Sequence, residues 1–216
     1  MNHARRVKPR AYSSAVREQK ARATRARIIE AAGRLFLTKG YAGSSVESIA
    51  AGAGVAAETV YLHFGTKPKL LAALLDIALA GDDAPVALLD RTWMRSVLRI
   101  PDAPGRVRAL ARNTRRMLDR LGPIHAVMRS AAPLEPEIAE LARLHARRRI
   151  QGQATLVEWI AEPAGLRPGL SQGEATERFF ALTSPELHHL FARELGWSAR
   201  RYEQWLTGAL LAELLV

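Results

Sequence analysis

Residues 44–67 read Ser-Ser-Val-Glu-Ser-Ile-Ala-Ala-Gly-Ala-Gly-Val-Ala-Ala-Glu-Thr-Val-Tyr-Leu-His-Phe-Gly-Thr-Lys. Two short helical periods meet at Gly54. Val46, Ile49, Ala50 and Ala53 mark the inner face of the first, and Val55 and Val60 anchor the second, which spans about Ala56 to His63 with Phe64 near its end. Ala50 is small enough for two helices to cross closely, and Gly54 accepts the positive φ of a sharp turn. Ser44 stands three residues before Glu47, the spacing of a capping box at a helix start. The stretch predicts a helix-turn-helix.

In that arrangement the second helix enters the major groove of DNA and its outer residues meet base edges. The outward set predicted here is Ala57, Glu58, Thr59, Tyr61, Leu62 and His63. Glu58 suits a cytosine amino group, and the methyl of Ala57 or Thr59 suits a thymine. Tyr61 and His63 are donors to phosphate or base. Ser44 and Ser45 at one helix start and Lys67 at the next are placed for phosphate oxygens, and Arg25 of the preceding helix joins the DNA-contacting set.

The flanks agree. The net charge is +11, and residues 1–27 hold nine Lys/Arg against one acid, whereas 28–80 are neutral. A basic arm over 1–22, flexible and phosphate-binding, is therefore expected before a reading domain over 23–67. Its first helix is expected over about Ala23–Thr38, with Ile28, Ile29, Ala32, Leu35 and Phe36 on one face and Gly40 closing it. Thr66 is the expected N-cap of a fourth, leucine-rich helix ending near Gly81.

Residues 68–216 also read as helical, so the fold class is all-α. Helices are expected over Pro85–Ile100, along the stripe Val107 to Leu121, and over Ile124–Ala131 after an interruption at Gly122-Pro123. After a turn marked by Pro133 and Pro136, a long helix should run to about Ala161, followed by a Pro- and Gly-rich loop over 163–173. Two more helices start at the caps Ser184 and Ser198. On the long helix, His145 and Arg149 are polar members of an otherwise inward face. With Trp93, Met117, His125 and Met128 they are the candidate lining of a ligand pocket. The stripes Leu187, Leu190, Phe191 and Tyr202, Trp205, Leu206, Leu210 are candidates for an interface with a second copy.

Other classes find little support. The sequence has no cysteine, hence no disulfide or thiolate metal site. Its longest run of small or apolar residues, Ile49 to Ala57, is far short of the roughly 20 a spanning helix needs. No phosphate loop, nucleophile elbow or His-Glu-x-x-His motif occurs, so neither an enzyme nor a cofactor or metal is expected. A non-specific basic DNA-compacting protein and a helical-bundle enzyme are the alternatives; the first would leave the long apolar C-terminal half without a purpose.

Thr24 to Leu71 resembles the N-terminal domain of the TetR family of bacterial transcriptional regulators. The residues that carry the likeness are Ile28-Ile29-Glu30-Ala31-Ala32, Phe36, Gly40-Tyr41, Ile49-Ala50, Ala53-Gly54-Val55, Thr59-Val60-Tyr61, Phe64 and Lys67. Leu182-Thr183-Ser184-Pro185 and Gly196-Trp197-Ser198 are similar to the effector half of actinobacterial-type members. Ala56 and Glu58 depart from the serine and glycine common in the family. The resemblance implies a cytoplasmic homodimer on a palindromic DNA operator. It also implies repression relieved by a small-molecule effector held in the C-terminal helices.

Overall fold

The computed structural model describes residues 10–215, with side chains from Val16 onward. It divides into two compact units, 1–71 and 72–216. The boundary falls four residues beyond the expected 67/68, inside helix α4 (Lys67–Ala80).

The first unit opens with α1 (Arg10–Lys39). It begins well before the expected Ala23, so residues 10–22, read as part of a flexible arm, are helical; residues 1–9 lie outside the described set. No Gly or Pro occurs between Arg10 and Gly33, and strong helix formers dominate there. Glu18 and Arg22 add an exposed i,i+4 pair. Further on, Ile28, Ala32 and Phe36 bury one face of α1.

Helix α2 (Val46–Ala53) packs on α1, and α3 (Ala57–Phe64) packs on α2. Ile49, Ala50 and Ala53 of α2 are buried, as are Val60 and Phe64 of α3. The turn between them is fixed by Gly54 at φ 63°, whose N–H donates to the end of α2 while the Val55 N–H donates to Ala50 O at 3.0 Å. Ala56 caps α3 with no side-chain hydrogen bond. Thr66 Oγ1 accepts from the Lys69 N–H at 3.3 Å, the expected cap of α4.

In the second unit, the expected helix over 85–100 is broken into a 3₁₀ turn (Leu88–Asp90), the short α5 (Thr92–Arg95) and another 3₁₀ turn (Ser96–Arg99). Buried Arg106 holds the end of this segment. Its guanidinium donates to Ile100 O at 2.8 Å, Leu98 O at 3.2 Å and Trp159 O at 2.6 Å, and pairs with Glu162. It thereby satisfies carbonyls that a helix leaves unpaired in its last turn.

Helix α6 runs unbroken from Ala103 to Ala131 through Pro123, contrary to the expected interruption. Beyond the proline, Ile124, Val127 and Met128 stay in register with the buried stripe. At about 1.5–3 kcal/mol per large buried side chain, their burial exceeds the roughly 3 kcal/mol cost of an interior proline.

Helix α7 spans Pro136–Ala161 as expected. Helix α8 (Gln172–Leu182) lies in a stretch that had drawn no helix of its own, and starts with a full capping box between Ser171 and Glu174. Ser184 caps α9 (Pro185–His189), which passes into a π turn (Leu190–Glu194), and Ser198 caps α10 (Ala199–Leu214). Val107, Leu110, Leu118, Val157, Ile160, Phe179, Tyr202, Leu206, Leu210 and Leu214 form the core of the unit. No strand occurs among the described residues.

A Cβ at position 54 would meet only Arg27 Nη1 at 3.8 Å, ordinary contact, so the cost of Gly54→Ala lies in the left-handed backbone. We expect this variant to lose about 1–2 kcal/mol of stability in urea unfolding, and to lose DNA binding more steeply than stability because α3 is re-aimed.

Candidate nucleic-acid interface and ligand site

The interface is built from α3 outward. Val60 and Phe64 lock its inner face. At about 100° per residue, Glu58 and Leu62 then stand diametrically opposite, with Tyr61 beside them. All three are exposed, Tyr61 at 48% and Leu62 at 84%. Ala57, Thr59 and His63 are half-buried at the edges of this face.

The flanking residues divide. Ser45, not Ser44, is the N-cap of α2, its hydroxyl accepting from the Ser48 N–H at 3.1 Å. Ser45 is exposed and keeps its place beside free backbone amides at a helix start. Those amides also act on Glu47, whose carboxyl is held below its ordinary range by its own backbone N–H and by Ser45. Ser44 is 0% exposed and donates to Gly40 O at 2.7 Å. It is a structural clamp on the α1–α2 turn and not a phosphate ligand. The capping-box spacing to Glu47 pointed to Ser44, but packing buries that residue and leaves its neighbour Ser45 as the cap.

Lys67 and Arg25 are positioned by aromatic rings. Lys67 Nζ lies 4.0 Å over the Tyr41 ring, which stacks on Phe36 at 5.6 Å. Arg25 Cζ lies 4.5 Å over Phe64. Both cations stand on the buried core through their aromatic supports.

The candidate ligand residues separate into groups. Met128 is buried, and Met117 packs against the core of the second unit. Trp93 lines a shallow pocket of about 320 Å³ with Asn113, Arg116 and Arg120. His125 of α6 and His145 and Arg149 of α7 act on one another. Burial pushes His125 down to about 4, against Glu186, with Arg149, Arg129 and His145 adding to the drop. Burial also lowers His145, against Asp76, and brings Arg149 down to about 10, against Glu186. Arg149 rests 3.5 Å over the Phe180 ring and donates to Thr183 O at 3.3 Å.

Two polar features had no sequence signal, because their partners are far apart in the chain. Gln153, 6% exposed and one turn beyond Arg149, donates to Thr183 Oγ1 at 2.8 Å while its own Oε1 has no partner among the described residues. Buried His188 meets Asp119 Oδ1 at 3.1 Å, and Asp119 is held by Arg115 at 2.6 Å. Asp119 and His188 line a second pocket of about 260 Å³. Among the described residues no cluster of three or more His, Asp or Glu is placed to hold a metal, and no described helix is long and apolar enough to cross a membrane.

The proposed second-copy interface is corrected in part. Tyr202, Leu206 and Leu210 are fully buried in this chain's own core. Their i,i+4 stripe faces α6 and α8, and periodicity cannot tell a protomer core from a partner. Leu190 is exposed, Leu187 half-buried, and the half-buried rings of Phe191 and Trp205 pack in a tilted pair at 4.4 Å, with Trp197 against Phe191.

The comparisons decide what the α2–turn–α3 geometry belongs to. A family model described as bacterial regulatory proteins, tetR family, matches residues 28–74. By this segment the chain is similar to the tetR family. The HTH-type transcriptional regulator TtgR of Pseudomonas putida is 46% identical over 59 residues, which make up 27% of this chain and 28% of TtgR. The chain thus matches about a quarter of that relative's length. Solved structures extend the likeness in fold to the second unit. NalD, the secondary repressor of the MexAB-OprM multidrug efflux pump in Pseudomonas aeruginosa, has a TM-score of 0.67 at 23% identity, covering 89% of this chain and 96% of NalD. AibR, solved with isovaleryl coenzyme A and operator DNA, has a TM-score of 0.58 at 18% identity, covering 87% and 97%.

The depressed histidines of the second unit set a pH dependence. A histidine whose folded pKa lies below its unfolded value binds fewer protons folded than unfolded. Stability is therefore full above pH 6.5 and falls as pH drops toward the folded value, about 4 for His125. We expect the urea midpoint of the second unit to fall between pH 7 and pH 5, and His125→Asn to reduce that fall. An unchanged fall in the variant would show that His125 titrates normally.

Proposed function

We propose that the chain is a homodimeric transcriptional repressor that binds a palindromic DNA operator and is released by a small-molecule effector in the cytoplasm. The observation that carries this reading is α3. Its inner face is fixed by Val60 and Phe64, and its opposite face leaves Glu58, Tyr61 and Leu62 exposed beside the helix starts at Ser45 and Lys67. That is base-reading chemistry flanked by phosphate-binding chemistry. The tetR-family match over 28–74 supports it, as does the operator-bound state of the similarly folded AibR.

The effector is assigned to the second unit, against His125, His145 and Arg149. A half-buried guanidinium with no carboxylate in ion-pair reach among the described residues, beside the unpartnered Gln153 Oε1, favours a polar ligand group there. Leu190, Phe191 and Trp205 are retained for the dimer contact. Occupancy would be read through α4, which starts in the first unit and ends in the second, and would alter the spacing of the two recognition helices. The ligand acts only through its different affinity for the two spacings.

Competition binding at several salt concentrations tests the reading. A regulator prefers its operator over bulk DNA by on the order of 10³-fold or more; equal competition by all sequences would favour non-specific DNA compaction instead. In the same assay Lys67→Ala is expected to weaken binding to every sequence and to reduce the salt slope by about 0.9. An unchanged slope would remove Lys67 from the phosphate contacts.

A further inference from the structure

The outward face of α3 has an unusual chemistry. Between Ala57 and Phe64 there is no Lys or Arg. The two residues farthest from the buried stripe are an exposed carboxylate, Glu58, and Leu62, the most exposed large apolar side chain among the described residues at 84%. A lone exposed leucine is ordinary. This one sits at the apex of a helix whose opposite side is locked by Val60 and Phe64, and a carboxylate stands one turn before it.

Such a ridge repels phosphate oxygens and finds no partner in the O6 and N7 acceptors of guanine. In the major groove, a cytosine amino group offers a donor to the carboxylate, and a thymine C5-methyl offers an apolar surface to the leucine. Ala57 and Thr59, whose methyl groups the sequence offers for the same thymine, are half-buried at the edges and less suited to it. We infer that Leu62 reads a thymine methyl group in the operator and that Glu58 reads a cytosine amino group close by. Four residues of helix rise about 6 Å, and base pairs are stacked about 3.4 Å apart. The two bases therefore lie within about two base-pair steps of each other in each half-site. This inference rests on the regulator reading, and adds to it the chemical identity of what is read.

The test uses the full chain. Bound duplexes are selected from a random pool, and each thymine of the selected sequence is replaced in turn by deoxyuridine, which removes only the methyl group. At one thymine per half-site, within two base pairs of a cytosine, the replacement is expected to weaken binding about fourfold, the value of one buried methyl-sized group. Leu62→Ala, whose exposed side chain leaves folding intact, should bind the thymine and uracil duplexes equally at that position. Glu58→Gln should relax the preference at the neighbouring cytosine. If no uracil replacement matters, or if the sensitive thymine stays equally sensitive in Leu62→Ala, the assignment of Leu62 is overturned. If the sensitive thymine has no cytosine within two base pairs, or Glu58→Gln leaves the preference unchanged, the pairing with Glu58 is overturned. A selection that yields no preferred sequence overturns the regulator reading itself, and this inference with it.

Discussion

The helix-turn-helix geometry depends on the backbone of Gly54. Its left-handed φ of 63° closes α2 with hydrogen bonds back into the helix and sends the chain into α3 within three residues. A Cβ there would make only ordinary contact with Arg27 Nη1, so the constraint is on the backbone and not on packing. Once the turn is set, Val60 and Phe64 bury, and the 3.6-residue period leaves Glu58 and Leu62 outward. The exposure of Glu58 and Leu62 thus follows from one dihedral angle and two buried side chains.

The second unit is held in a different way. Its long helices bury continuous apolar stripes, while its irregular segments depend on arginine. Arg106 ties Leu98 and Ile100 to the end of α7, and Arg91 ties the turn at Asp82 and Ala84. A planar guanidinium with five donors can satisfy several carbonyls at once, which a lysine cannot. Elsewhere in the unit the polar interior is under-partnered. His125, His145, Arg149 and Gln153 gather where burial disfavours charge. Groups of this kind weaken a purely structural core and suit a site whose partner comes and goes.

Much of the first unit could be read from the chain. The turn at Gly54, the inner residues of α2 and α3 and the cap at Thr66 follow from spacing and local chemistry. Ser44 did not, because Ser44 and Ser45 both satisfy a cap pattern, and only the packing of the α1–α2 turn buries the first. In the second unit the long α7 and the caps Ser184 and Ser198 were legible. Pro123 misled, since a proline is a strong local signal and the burial that overrides it is tertiary. Tyr202, Leu206 and Leu210 misled for the converse reason: an apolar stripe states that a face is covered, not by what.

The sequence by itself determined an all-α chain and a helix-turn-helix whose second helix turns Glu58 and Leu62 outward, because helical period, caps and a turn glycine are local properties. Tertiary structure alone decided which serine is exposed, which apolar stripe is core, and which histidine feels the charge of Arg149. Those outcomes depend on residues tens of positions apart whose contact removes water, and no local pattern records that.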